Sequence, residues 1–114
     1  MNMPRLTTHV LDIATGEPAS GLAVTLSVRR DDGSWHALAT AFTDRDGRVR
    51  EWAATSPAKT GDFRLTFATG DYFAARRTPA LYPEIVVHVR IGADEPHHLP
   101  LLVGPFTYTT YRGR

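Results

Sequence analysis

The sequence contains no cysteine, which excludes disulfide bonds, thiol catalysis and cysteine-ligated zinc or iron–sulfur centres. It also has almost no excess charge, because 13 Lys and Arg against 12 Asp and Glu give a formal net charge of +1. This balance offers no electrostatic argument for binding nucleic acid or a membrane surface. No apolar run approaches the roughly 20 residues that span a bilayer, and the first residues lack the apolar core of a secretory signal. We therefore expect a cytoplasmic protein.

The turn residues that the chain does contain are frequent and regularly spaced, which predicts an all-β fold. A length of 114 residues suits one domain, which we place over residues 1–114. The connections are too short for crossover helices, and this favours a β-sandwich over alternating strands and helices. Eight strands are predicted, over residues 6–13, 22–30, 35–42, 48–52, 63–68, 84–91, 98–103 and 106–111.

One short segment is predicted to be helical. In "GDYFAARRTP" (70–79), Asp71 is a suitable N-cap and Pro79 a suitable end. A loop through Ser56-Pro57 connects the fourth and fifth predicted strands.

The alternation of side chains places two histidines on strand faces of interest. In the first strand, Leu6, Thr8 and Val10 form the expected core face, so that His9 lies on the opposite face. His98 shares one face of the seventh strand with Pro100 and Leu102, and the other face is also apolar. A strand covered on both faces predicts subunit association, since an exposed apolar sheet face would favour aggregation.

No classical catalytic motif is present. His97 and His98 are adjacent and point to opposite faces, so they cannot chelate one ion, and there is no HExxH or paired HxH spacing. No serine lies in a GxSxG elbow. We therefore expect no metal and no cofactor. If the protein is an enzyme, its nucleophile is water activated by histidine.

Several segments, taken together and in order, resemble the transthyretin-like family, and in particular its 5-hydroxyisourate hydrolase branch. The resemblance covers essentially the whole chain. The segments that carry it are "LTTHVLDIATGEPASGLAVTL" (6–26), "TDRDGR" (43–48), "TGDYFA" (69–74), "YPEIVV" (82–87) and "HLPLLVGPFTYTTYRG" (98–113).

This resemblance implies an eight-stranded sandwich of two four-stranded sheets, assembled as a homotetramer with active sites in a central channel. The family's catalytic histidine of "THVLD", arginine of "DGR" and second histidine of "HxHxP" correspond to His9, Arg48 and His98. Its C-terminal "YRGS" corresponds to the expected substrate-binding residues Tyr111, Arg112 and Gly113.

The sequence departs from the family pattern at three positions. The first histidine of "HxHxP" is Pro96, the serine before Pro105 is Gly104, and the final serine of "YRGS" is Arg114. Arg114 adds a cation where the family has a hydroxyl, so any role of that hydroxyl is absent from this chain.

The activity that the resemblance implies is hydrolysis of a ring amide in 5-hydroxyisourate, giving 2-oxo-4-hydroxy-4-carboxy-5-ureidoimidazoline. One of His9 and His98 is expected to act as the base, and the other as its acid or orienting partner. Three alternatives remain: a small-molecule carrier that uses the same channel, a β-sandwich interaction module, and a purely structural role for the three residues at an interface.

Overall fold

The computed structural model describes residues 5–53 and 59–114, so the predicted loop through Ser56-Pro57 lies outside the described residues. No helix in the described part of the chain is long and apolar enough to cross a membrane. Its strands and helix, in chain order, are β1 (Leu6–Asp12), β2 (Glu17–Pro18), β3 (Ala23–Arg29), β4 (Trp35–Phe42), β5 (Arg48–Val49), β6 (Gly61–Phe67), α1 (Thr69–Ala74), β7 (Ile85–Ile91), β8 (His97–Gly104) and β9 (Thr107–Thr110).

These strands form two sheets, which confirms the predicted all-β sandwich with one short helix. The first sheet has the order β2–β1–β8–β9, with β5 also paired to β1, and the second has the order β4–β3–β6–β7. The strand count was wrong: the described residues form nine strands in sheets of five and four. The additional strand is β2, which lies in the predicted Gly- and Pro-rich loop and pairs with Leu11 and Asp12.

The core lies between the sheets and is built from alternate residues of each strand. Along β1 the burial alternates as predicted, with Leu6, Thr8 and Val10 at most 2% exposed and the residues between them only partly buried. The same two-residue period governs β3 and β6. The largest buried side chains include Phe63, Phe67, Leu22, Leu26, Leu65, Ile85, Ile91 and Leu101.

Strand β1 is central to the first sheet. On one side it pairs in parallel with β8, from Leu6 opposite His97 to Asp12 opposite Val103. Its other side is shared by β5, opposite Thr8 and His9, and by β2, opposite Leu11 and Asp12. The whole length of β1 is therefore held between neighbours.

The helix α1 packs on the end of β1 through Asp12. This carboxylate is 2% exposed; it accepts hydrogen bonds from the Tyr72 hydroxyl (3.0 Å) and from the backbone N–H of Ala14 (2.9 Å). Burial and the hydrogen bond to Asp12 raise the pKa of Tyr72 to about 12. The predicted N-cap was wrong: the helix begins at Thr69 without a side-chain cap, and Asp71 lies in its first turn. It ends before Pro79, as predicted.

Gly47 allows β5 to approach β1. Its φ of 77° lies in the left-handed region, and a Cβ at this position would come within 2.4 Å of the Val10 carbonyl oxygen. The Gly47 carbonyl in turn accepts a hydrogen bond from the Val10 N–H at 2.8 Å. No other residue fits here without displacing the backbone of β1.

We expect Gly47→Ala to destabilise the fold more than Gly16→Ala, measured as the free energy of unfolding in urea. Gly16 also has a φ of 77° but has nothing within 4 Å of its Cβ position. The Gly16 variant therefore carries only the backbone strain, about 1 kcal/mol. The Gly47 variant carries the same strain plus a clash, and we expect a loss of about 2–4 kcal/mol. Equal losses would contradict the close approach of β5 to β1.

Candidate active site

His9 and Arg48 lie directly opposite each other on neighbouring strands. They form a register pair in the antiparallel pairing of β1 and β5. His9 belongs to the face of β1 that points away from the core, because Thr8 and Val10 on either side of it are fully buried. Paired residues of adjacent strands project to the same face. The imidazole and the guanidinium therefore share the outer face of the first sheet.

His98 reaches the same outer face from the other side of β1. In the parallel pairing, His98 is opposite Thr7, and His9 is opposite Pro100, so the two histidines are two positions apart on adjacent strands. The Thr7 hydroxyl is hydrogen-bonded to His98 Nδ1 at 2.8 Å. The structure thus brings together the three residues that the sequence proposed as catalytic.

The turn before β5 fixes the position of Arg48. Asp44 Oδ1 accepts hydrogen bonds from the backbone N–H groups of Asp46 (2.8 Å) and Arg48 (3.0 Å), as Asp does in tight turns. These hydrogen bonds, with that of Arg48 as the largest contribution, lower the pKa of Asp44. A second guanidinium, Arg50, pairs with the other Asp44 oxygen at 3.1 Å. Arg48 therefore begins its strand in a preformed turn.

The electrostatic environment favours the neutral form of both histidines. The pKa of His9 is lowered, first by desolvation and then by the charge of Arg48; a hydrogen bond to the backbone of Asp46 opposes this effect. The pKa of His98 is lowered by desolvation, by Arg48 and by His9. Desolvation and the nearby cation thus favour the neutral form of each imidazole, which is the form that can accept a proton. The charge of Arg48 lowers the pKa of both histidines because the three side chains lie close together.

The C-terminal residues are attached to the site by Gly113. Its N–H donates to the His98 carbonyl oxygen at 2.7 Å, and a Cβ at this position would lie 2.7 Å from His98 Cδ2. Gly113 is needed here for its missing side chain. Arg112 donates instead to Glu95 Oε1 at 3.1 Å, and the Tyr111 side chain is 55% exposed. The substrate-binding roles of these three residues remain predictions.

A cleft of about 770 Å³ opens beside His98 and Gly113. Its described lining is rich in guanidinium groups, contributed by Arg5, Arg50, Arg112 and Arg114. His9 and Arg48 do not line this cleft in the single chain. The cleft suits an anionic or carbonyl-rich ligand whose reacting part reaches His98.

Sequence analysis missed two contributors to this region. Thr7 shares the outer face of β1 with His9, but nothing local to it in the sequence indicates a contact with a residue 91 positions away. Trp52 is buried at 8% exposure, and its indole N–H donates to the Leu6 carbonyl at 2.8 Å. Within residues 5–53 and 59–114, no group of three or more His, Cys, Asp or Glu side chains is arranged to hold a metal ion.

The model of the HIUase/Transthyretin family matches residues 6–113. The chain belongs to this family. A 5-hydroxyisourate hydrolase from Caulobacter vibrioides is 45% identical over 116 residues, covering 97% of this chain and 99% of its own. A solved structure of Klebsiella pneumoniae 5-hydroxyisourate hydrolase has a TM-score of 0.82 and 37% identity, with 96% of this chain and 98% of that chain covered.

The fold is also that of a thyroxine-bound transthyretin. Sea bream transthyretin, solved in complex with thyroxine, has a TM-score of 0.88 at 27% identity, covering 96% of this chain and 94% of its own. Backbone similarity therefore does not distinguish a hydrolase from a carrier. The side chains on the outer face of the first sheet must make that distinction.

We expect Arg48→Met to raise the pKa of both His9 and His98, because it removes the positive charge that disfavours both imidazolium ions. The measurement is an NMR titration of the histidine Cε1–H signals. Arg45→Met is the matched control, because it removes a guanidinium from the same turn but is not among the charges that shift the pKa of either histidine. An unchanged titration in Arg48→Met would show that the three groups are not close.

Proposed function

We propose that this protein hydrolyses 5-hydroxyisourate, with His9, Arg48 and His98 as its catalytic residues. The observation that carries the proposal is the grouping of one guanidinium and two imidazoles on the outer face of the first sheet. The hydrolase relatives match over nearly the full length of both chains, which supports the enzymatic branch.

The reaction adds water across a ring amide. One histidine accepts a proton from water as the water oxygen attacks the carbonyl carbon, and Arg48 donates to the developing oxyanion. The carbon–nitrogen bond then breaks, and the ring nitrogen takes the proton that this histidine, now an imidazolium, accepted from water. The other histidine stays neutral and orients the reacting groups through hydrogen bonds. The products are a carboxylic acid, which ionises at neutral pH, and an N–H group, giving 2-oxo-4-hydroxy-4-carboxy-5-ureidoimidazoline. These steps use only the three side chains and water.

The guanidinium-rich cleft is suited to both the substrate and the product of this reaction. The substrate is planar and carries several carbonyl oxygens, which match the fork of donors on a guanidinium. The product gains a carboxylate, which the same cations attract. Arg114 adds a further cation to this cleft where the family pattern has serine.

A carrier function is the second candidate, because the fold is shared with a thyroxine-bound transthyretin. A carrier requires a complementary cavity but no proton acceptor. Two histidines whose pKa values are lowered beside a cation favour proton transfer over simple binding. The activity measurement below separates the two functions, since a carrier leaves the spontaneous decay of 5-hydroxyisourate unchanged.

We further propose that four copies of the chain assemble with the outer faces of their first sheets around a common channel. Leu11, Leu102 and the 44% exposed Ile13 make this face apolar around the histidines. In a single chain the face is open to water, and association would cover it. The substrate would then react in a partly dry space. The cytoplasmic location stays a prediction from the sequence.

We expect His9→Asn and His98→Asn each to lower kcat by about 10²–10⁴-fold, the range for losing a general acid or base. The assay follows ultraviolet absorbance after the protein is mixed with freshly generated 5-hydroxyisourate. His36→Asn and His88→Asn are the controls, because both residues lie in the second sheet. Equal losses in all four variants would contradict the assignment of the site.

We expect sedimentation velocity to give a tetramer at micromolar concentration, and Leu102→Glu to dissociate it. The variant places a carboxylate in the face that we propose to be buried. Thr25→Glu is the control, because Thr25 lies on the outer face of the second sheet, where it bonds Thr40. A monomeric wild-type protein would refute the assembly.

A further inference from the structure

The His98 side chain is held on two sides by neighbours in the structure. Thr7 Oγ1 lies 2.8 Å from Nδ1. Gly113 lies against Cδ2, so closely that a Cβ there would be 2.7 Å from this ring atom. The ring atoms left free are Nε2 and Cε1. Of these only Nε2 can exchange a proton, so the ring is oriented with one reactive atom available.

We propose that Thr7 is a positioning residue, whose hydroxyl donates to His98 Nδ1 and so keeps the proton of the neutral ring on Nε2. A threonine hydroxyl can donate one hydrogen bond, and a neutral imidazole accepts at the nitrogen that carries no proton. Among residues 5–53 and 59–114, the Thr7 hydroxyl has no other side-chain or backbone partner. Donation to Nδ1 therefore satisfies both groups at once.

The adjacent threonine shows that this contact is not a general property of the strand. Thr8 points into the core, is fully buried, and donates to the Leu99 carbonyl at 2.6 Å. Thr7 faces outward, and its register partner in the parallel pairing is His98 itself. Two neighbouring threonines with the same hydroxyl thus have different roles: one bridges backbone strands, and the other binds a catalytic ring.

The fixed tautomer gives the two histidines different functions. This inference rests on the proposed function. With its proton on Nε2, neutral His98 presents a hydrogen-bond donor to the substrate and is suited to orienting and polarising the ring carbonyl. His9 then has to act as the proton acceptor for water. The backbone of Asp46 opposes the lowering of the His9 pKa. In its neutral form, His9 has one ring nitrogen with a lone pair, which can take the proton from water.

The test is the tautomer of His98 in the substrate-free protein, read from two-bond ¹H–¹⁵N NMR spectra near pH 8. We expect the wild-type ring to show a protonated Nε2 and an unprotonated Nδ1. Thr7→Val keeps the branched shape but removes the hydroxyl, and we expect His98 to become a mixture of tautomers. Thr7→Ser keeps the hydroxyl, so we expect the wild-type pattern. A wild-type spectrum with the proton on Nδ1 would overturn the proposal.

Kinetics then connect the tautomer to catalysis. We expect Thr7→Val to lower kcat about 3- to 10-fold with little change in KM, the range for losing one neutral hydrogen bond. Thr7→Ser should restore kcat, and Thr25→Val should have no effect, since it removes an equally short 2.8 Å hydroxyl contact in the second sheet. An unchanged kcat and tautomer in Thr7→Val would refute the role of Thr7. If the wild-type protein has no hydrolase activity but shows the expected tautomers, the proposed function fails and the Thr7 contact stands.

Discussion

The parallel pairing of β1 with β8 is the constraint on which the site depends. It joins two segments separated by about 90 residues of sequence, and its register sets His98 beside Thr7 and His9 beside Pro100. A shift of one residue in this register would place His98 beside Leu6 or Thr8, whose side chains belong to the core. The position of the candidate catalytic residues and the integrity of the core are therefore determined by the same set of backbone hydrogen bonds.

Arg48 joins this arrangement through a second and more local constraint. Its strand has only two residues, too few to hold a guanidinium in place by ladder hydrogen bonds alone. The backbone of Arg48 is also held by the turn at Asp44 and by the close approach of Gly47 to β1. The Gly47 carbonyl accepts from the N–H of Val10, the residue next to His9, so the backbone that carries Arg48 is attached to the histidine strand. The distance between these two groups is thus maintained by the backbone rather than by a side-chain contact.

Much of this arrangement could be predicted from the sequence, because it depends on local periodicity. The alternation of Leu6, Thr8 and Val10 placed His9 on the outer face, and the structure agrees. The pairing of strands that are distant in sequence could not be predicted in this way. Nothing near Thr7 indicates that it will contact His98, and the two-residue strand at Glu17–Pro18 carries only turn residues. The start of α1 was misjudged since its first turn is fixed by packing of Tyr72 on Asp12 and not by a capping side chain.

The strict alternation of buried and outward-facing side chains along β1 also determines which mutations this strand can accept. Substitution at His9 or Leu11 alters the chemistry of one face and leaves the packing of the other untouched, so hydrolase and carrier surfaces can arise on one unchanged core. Loss of a single codon within the strand has the opposite effect: every later side chain would exchange faces, burying an imidazole and exposing Val10 to water. The outer face of this strand is therefore free to diversify by point substitution, but the strand is closed to insertion and deletion.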